Sequence, residues 1–257
     1  MDEPLLKIRN LNIAIGLEEL IKDFHFEVTA GRIVALVGTS GSGKTTLGLS
    51  ILRLLPDIMT ITGGPILFRD RDLLRLSESE MRQVRGKEIG MVFQEPLSAL
   101  NPVLTIGCQM EEILKFHSES SPRNRKQKTE ELLRRVGIEE PQRIIKSYPH
   151  QLSGGLRQRA MIACAICTNP ALIIADEPTS NLDVTLQANI LELFQHLREE
   201  FKLTILLITH DLGVVKHLTD DVAILFEGRI VESGKTKEIL SHARHPFTRE
   251  LLESTML

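Results

Sequence analysis

At 257 residues, with 42% apolar and 25% charged side chains, the chain has the composition of an ordinary globular protein and enough length to bury a large core. Its net charge of −3 excludes a nucleic-acid binder that depends on a dominant basic surface, and no apolar run approaches the roughly 20 residues that span a bilayer. The acidic start, Met1-Asp2-Glu3-Pro4, lacks the basic and apolar regions of a secretory signal, so the chain is expected in the cytoplasm, with any membrane role exerted through partner subunits.

Residues 5–13 and 24–29 alternate apolar and polar side chains, as in an antiparallel edge sheet. Residues 32–38 read as a buried strand entering a glycine-rich turn, and 44–55 as a helix stopped before Pro56. At that junction stands Gly38-Thr39-Ser40-Gly41-Ser42-Gly43-Lys44-Thr45-Thr46. It matches the phosphate-loop pattern G-x-x-x-x-G-K-[ST] in the strand-then-helix context that gives the pattern its meaning. Glycines there permit positive φ, so successive N–H groups turn inward around α- and β-phosphates. Lys44 reaches the β/γ oxygens, and the Thr45 hydroxyl is placed for Mg²⁺.

Gln94 ends a short apolar run at Val92-Phe93. From about 97 to 165 strand signals vanish and helical patterns replace them at 106–116 and 129–136. A polar connector, 118–128, joins the two, and its basic cluster 123–128 reads as a solvated loop. Leu152-Ser153-Gly154-Gly155-Leu156-Arg157-Gln158-Arg159 then opens another helical run. A second glycine pair with a serine and no lysine offers a second anion-binding surface of backbone N–H groups. One nucleotide needs one phosphate cradle, so this surface is expected to serve a nucleotide held by another copy or a sister subunit. Of three cysteines, Cys164 and Cys167 sit in the apolar run 160–167 and read as buried helix, with no second pair to complete a metal site.

Residues 172–175 and 203–209 are apolar runs of strand length separated by a helical pattern at 186–201, as in a parallel, helix-covered sheet. Asp176 ends the first run, the usual place for a carboxylate holding Mg²⁺, and Glu177 is the candidate for polarising an attacking water. Asp183 alone would be a helix N-cap, and His210 alone a structural group at a strand end. Residues 221–226 and 229–231, joined by Glu227-Gly228, read as a hairpin.

The order phosphate loop, Gln94, Ser153-Gly154-Gly155, Asp176-Glu177, Asp183, His210 resembles the ATP-binding-cassette ATPases, whose Walker A, Q-loop, signature, Walker B, D-loop and switch histidine follow the same order. The resemblance runs from about residue 5 to 250. It implies an α/β P-loop NTPase (RecA-like) core of mostly parallel sheet, with an N-terminal antiparallel edge and an inserted helical subdomain. On that pattern 1–257 forms one ATPase domain, with 1–96 and 166–240 as the core, 97–165 as the helical part and 241–257 as a C-terminal extension.

The resemblance also implies ATP and Mg²⁺ as cofactors and a head-to-tail pair of cassettes. Each nucleotide would lie between one subunit's phosphate loop and the partner's Ser153–Gly155 surface. Gln94 would touch Mg²⁺ where membrane subunits dock, His210 would contact the γ-phosphate, and Asp183 would link the two sites. Phe93-Gln-Glu-Pro-Leu-Ser-Ala-Leu-Asn-Pro102, Tyr148-Pro-His-Gln-Leu-Ser-Gly-Gly155 and His245-Pro-Phe-Thr-Arg-Glu-Leu-Leu252 look like the peptide/nickel importer cassettes. That subfamily implies two membrane permeases, a non-identical sister cassette, an extracytoplasmic binding protein, no nucleic acid, and a place on the cytoplasmic face of the inner membrane. Ile15 stands near the position where an aromatic ring normally stacks on adenine, leaving Phe24 or Phe26 as the candidate rings. A soluble cassette of DNA repair or translation is the alternative. Repair cassettes, however, carry a long coiled coil between the positions of Gln94 and Ser153, where this chain has the 58 residues 95–152.

Overall fold

The computed structural model describes residues 3–118 and 120–255; Met1 and Asp2 of the acidic start, Glu119 of the connector, and the last two residues of the 241–257 extension lie outside the described residues. The strands are β1 (Pro4–Ile15), β2 (Glu18–Thr29), β3 (Ile33–Val37), β4 (Met59–Ile61), β5 (Ile66–Phe68), β6 (Arg71–Asp72), β7 (Ile89–Val92), β8 (Leu172–Asp176), β9 (Thr204–Thr209), β10 (Asp221–Phe226) and β11 (Arg229–Lys235). The chain divides into two compact units, residues 1–81 with 202–257, and residues 82–201.

The first unit contains two sheets. One is antiparallel, in the order β2-β1-β5-β6 with β4 also on β1. In β2, Ile21, Phe24, Phe26 and Val28 are buried, and the step of three between Ile21 and Phe24 marks an irregularity. Asp23 there and Asn10 opposite it both have φ of 46°. The extra residue on each strand keeps the apolar set on one face through the register shift. The other sheet places β10, β3 and β9 in parallel, with β11 antiparallel on β10. Every residue of β3 and β9 is buried, which accounts for their continuous Val/Ile/Leu runs.

Glu227 (φ 48°) and Gly228 (φ 78°) turn the β10–β11 hairpin; a Cβ on Gly228 would lie 2.2 Å from the Leu20 carbonyl oxygen. The C-terminal helix Pro246–Thr255 stacks Phe247 on Phe226, ring centroids 4.1 Å apart. Glu232 anchors this segment by accepting from the backbone N–H groups of Arg244 (2.8 Å) and His245 (3.1 Å).

The structure differs from the sequence expectation at two helices. The helix expected over 44–55 is Lys44–Ile51. It ends in a Schellman motif: Arg53 takes φ 53°, its N–H bonds Ser50 O at 3.0 Å, and Leu54 N–H bonds Leu49 O at 2.9 Å. The local cap, not Pro56, stops it. The second unit pairs β7 with β8 in parallel, and no strand lies between 93 and 171 among the described residues. The helices Ile106–His117, Pro122–Arg135 and Gly154–Ile166 occupy about half of that stretch. The basic cluster 123–128 is therefore helix rather than solvated loop. Ser121 caps it, accepting from Asn124 N–H, Pro122 takes the first helical position, and Arg125 and Thr129 face inward.

Candidate active site

In the first unit, β3 delivers the chain into the glycine-rich turn at Gly38. Gly41 and Gly43 have φ of 80° and 99°, a region open to glycine, and a Cβ on Gly43 would come within 2.5 Å of Ile21 Cδ1. A Cβ on Gly38 would strike the Leu225 carbonyl oxygen at 2.4 Å. Lys44 is buried and its ammonium donates to Gly38 O (2.9 Å) and Thr39 O (2.8 Å), folding the loop over its own lysine. Thr39, Ser40 and Thr45 are exposed, and Thr46 is half-buried.

Gly43 caps the helix Lys44–Ile51 without a side-chain hydrogen bond, and no acidic side chain occupies the first turn. The Ser42 hydroxyl is buried with no hydrogen-bond partner among the described residues. A helix start with no side-chain cap, a dipole end without an acidic side chain and an orphaned hydroxyl fit a phosphate group. At the end of β9, His210 is exposed at a strand-to-helix turn. Asp211 caps the helix Leu212–Leu218, accepting from Gly213 (2.7 Å) and Val214 (3.2 Å) N–H groups.

In the second unit, β7 and β8 run side by side, so the residues that follow them leave the sheet at the same edge. This brings Gln94 and Glu177 together: Gln94 Nε2 donates to Glu177 Oε2 at 3.2 Å. Asp176 closes β8 and is buried, whereas Glu177 turns out of the strand with φ 43°. Glu177 is half-buried, and its carbonyl accepts from the Ser180 hydroxyl at 3.1 Å.

Ser153 caps the helix Gly154–Ile166, its hydroxyl accepting from Leu156 N–H at 3.4 Å. Gly154 is exposed and a Cβ there would meet nothing within 4 Å, while one on Gly155 would lie 3.2 Å from Leu186 Cδ2. Asp183 is exposed and accepts from Leu186 N–H at 3.0 Å, capping the helix that follows. A pocket of about 140 Å³ opens between these elements, lined by Gln94, Glu95, Gly154, Arg157, Asn181 and Leu182.

Two contacts here escaped the sequence reading. Gln158 is buried and donates to Pro178 O at 2.7 Å, tying the signature helix to the turn after Glu177. Asn181 donates to the Glu95 carboxylate. Both pairs are distant in sequence; the signal available for Gln158 was a polar residue on the apolar face of a helix. Cys164 and Cys167 are unreactive by placement, since burial pushes both thiols up, Cys167 to about 12. Phe24 and Phe26, 1% and 6% exposed, are core residues of the antiparallel sheet and cannot serve as base platforms; Ile15 is 38% exposed.

Comparison with known proteins agrees with these features. Residues 21–180 match the sequence profile of the ABC transporter family. The chain is 43% identical to the dipeptide transport ATP-binding protein DppD of Bacillus subtilis, over 98% of this chain and 77% of that protein. It is 46% identical to the peptidoglycan transport ATP-binding protein YejF of Agrobacterium fabrum, over 97% of this chain and 47% of that one, so it spans about half of that relative's length. Among solved structures, the dimeric post-hydrolysis state of the ATP-binding cassette MJ0796 with ADP and Pi superposes with a TM-score of 0.79 at 31% identity, covering 90% of this chain and 98% of that one. A phosphate loop at the end of a buried parallel strand, a serine-capped glycine pair and an Asp-Glu strand end, together with these matches, show that the chain belongs to the ABC transporter family.

Proposed function

We propose that this chain is the ATP-hydrolysing subunit of an importer for peptides, working with membrane permeases and a second cassette. The observation that carries the reading is the Gln94–Glu177 hydrogen bond, which holds a carboxylate able to polarise water against a glutamine at the same sheet edge. Lys44 and the N–H groups of 38–46 hold the phosphates. Thr45, Asp176 and Gln94 would hold Mg²⁺, and the ion would supply neutralisation of charge on the transferred phosphoryl group. Glu177 orients and deprotonates the attacking water, and His210 contacts the γ-phosphate.

Ser153, Gly154 and Gly155 face the nucleotide of the partner cassette, and Asp183 crosses the interface between the two sites. Because phosphoryl transfer is catalysed by positioning and charge stabilisation, pairing of the cassettes completes a site that one chain leaves open. Peptide is preferred to nickel as cargo because the relatives DppD and YejF carry dipeptide and peptidoglycan in their names. The cassette itself is expected peripherally on the cytoplasmic face of the inner membrane, and no described helix is long and apolar enough to cross a membrane.

Purification of the assembled transporter tests the reading. ATP hydrolysis that rises when a peptide-loaded binding protein is added supports it. Hydrolysis indifferent to peptide, but stimulated by DNA or ribosomes, contradicts it.

A further inference from the structure

The irregularity that pairs Asn10 with Asp23 gathers three polar side chains. Asn10 Nδ2 lies 2.8 Å from Asp23 Oδ1 and 3.2 Å from His25 Nε2, and His25 Nε2 lies 3.0 Å from Asp23 Oδ1. The three atoms form a nearly equilateral triangle. Hydrogen bonding pairs at most two of its three edges. With a hydrogen on Nε2, that hydrogen and one Asn10 amide hydrogen both go to Asp23 Oδ1, and the 3.2 Å edge between the two donors stays unpaired; without it, the Nε2 lone pair faces the carboxylate oxygen. Turning the Asn10 amide over, which exchanges its O and N, puts two oxygens against each other instead.

We propose that Asn10, Asp23 and His25 form a binding site for a divalent first-row transition ion. Bonds from such an ion to imidazole nitrogen and carboxylate or amide oxygen are about 2.0–2.2 Å. An ion about 2.1 Å from each corner of this triangle sees them at about 90°, one face of an octahedron, with the Asn10 amide turned oxygen-inward. Water fills the opposite face, because all three side chains are exposed.

The donor set of one imidazole nitrogen and two oxygens suits Ni²⁺, Cu²⁺ and Zn²⁺. The triangle is also pre-set: Asn12 accepts from Asp23 N–H (2.7 Å) and donates to Asn10 O (3.1 Å), bracing the backbone at both left-handed positions. Among the described residues no group of three His, Cys, Asp or Glu side chains is placed to hold a metal; this site takes its third ligand from an amide. Arg229, whose charge acts on Asp23, opposes a cation and keeps the affinity moderate.

The test is calorimetric titration of tag-free Cys108→Ser protein with Ni²⁺, paired with Co²⁺ titration followed by NMR of the histidine rings. Asn10→Gly and Asp23→Gly remove ligands yet keep the left-handed backbone accessible. One saturable equivalent is expected, with His25 the first ring to broaden. Affinity is expected to fall about tenfold or more in His25→Ala and Asp23→Gly, to fall less in Asn10→Gly, and to rise in Arg229→Gln. Melting temperatures of the metal-free variants check that each is folded. No saturable binding below about 1 mM overturns the proposal, since the triangle is then only a clip for the irregularity. Binding lost in His25→Ala but unchanged in Asp23→Gly and Asn10→Gly overturns it too, as the mark of a lone imidazole.

Discussion

Gly154 gives the sharpest separation of fold from function. It occupies the first turn of the helix Gly154–Ile166 with no positive φ, and a Cβ placed on it meets nothing within 4 Å. Within this chain, then, nothing requires glycine there. Gly154→Ala removes backbone freedom from the unfolded chain and adds no clash, so stability is expected to change by between zero and a gain of about 1 kcal/mol. For a chain of this size that is a rise in melting temperature of no more than about 4 °C. If Gly154 instead faces the partner cassette's nucleotide, the added methyl group blocks a close backbone approach, and ATP turnover of the paired cassettes falls at least about tenfold, about 1.4 kcal/mol in the barrier. Differential scanning fluorimetry and steady-state ATPase assays on one preparation read both quantities. A melting temperature lower by several degrees refutes the packing argument. An unchanged melting temperature with wild-type turnover refutes the assignment of this surface to a nucleotide.

Gly38→Ala drives a Cβ against the Leu225 carbonyl oxygen, so thermal unfolding should show a loss of about 1–3 kcal/mol even without nucleotide. Gln158→Leu strips the buried donor from Pro178 O and should cost about 1–3 kcal/mol; because Pro178 adjoins Glu177, kcat should fall more than KM changes. Burial pushes the Glu232 carboxyl up, but the neighbouring Thr248 hydroxyl and the hydrogen bonds from the N–H groups of Arg244 and His245 outweigh it and hold the group below its usual value. Its contribution is thus present above the unfolded pKa of about 4.3 and lost as pH falls through the lower folded value, so Glu232→Gln should lower the melting temperature at pH 7 and converge with wild type in acid. Ile15→Tyr should tighten ATP binding in equilibrium titrations by about 5-fold or more, from a stacking gain on the order of 1–3 kcal/mol, whereas conservative Phe24→Leu should leave nucleotide affinity alone.

Where one local principle decided the structure, the sequence was readable. The continuous apolar runs of β3, β8 and β9 are buried on both faces, and the Glu227-Gly228 turn adopts the two left-handed residues its composition suggests. Errors came where a local cap competed with a stronger-looking signal. Arg53 in a left-handed conformation ended a helix that Pro56 seemed placed to end, and Ser121-Pro122 started one inside a stretch whose charge suggested a loop. Of the candidate site, the residue types and their order were legible because each carries its own chemistry. What draws Gln94 to Glu177 and Gln158 to Pro178 is the parallel pairing of β7 with β8 and the seating of a helix, which no spacing along the chain encodes. The aromatic candidates failed for the opposite reason: Phe24 and Phe26 were needed by the core.

The central claim, that this cassette hydrolyses ATP through Glu177 when paired, is tested most directly by Glu177→Gln. The change removes the base but keeps the side chain's size and its reach to Gln94. ATP turnover and mass in solution should be measured on the same protein, with its sister cassette and Mg²⁺-ATP present. The account predicts turnover reduced at least about a hundredfold, ATP still bound, and a pair of cassettes that persists while ATP is bound. Turnover at the wild-type rate would contradict it.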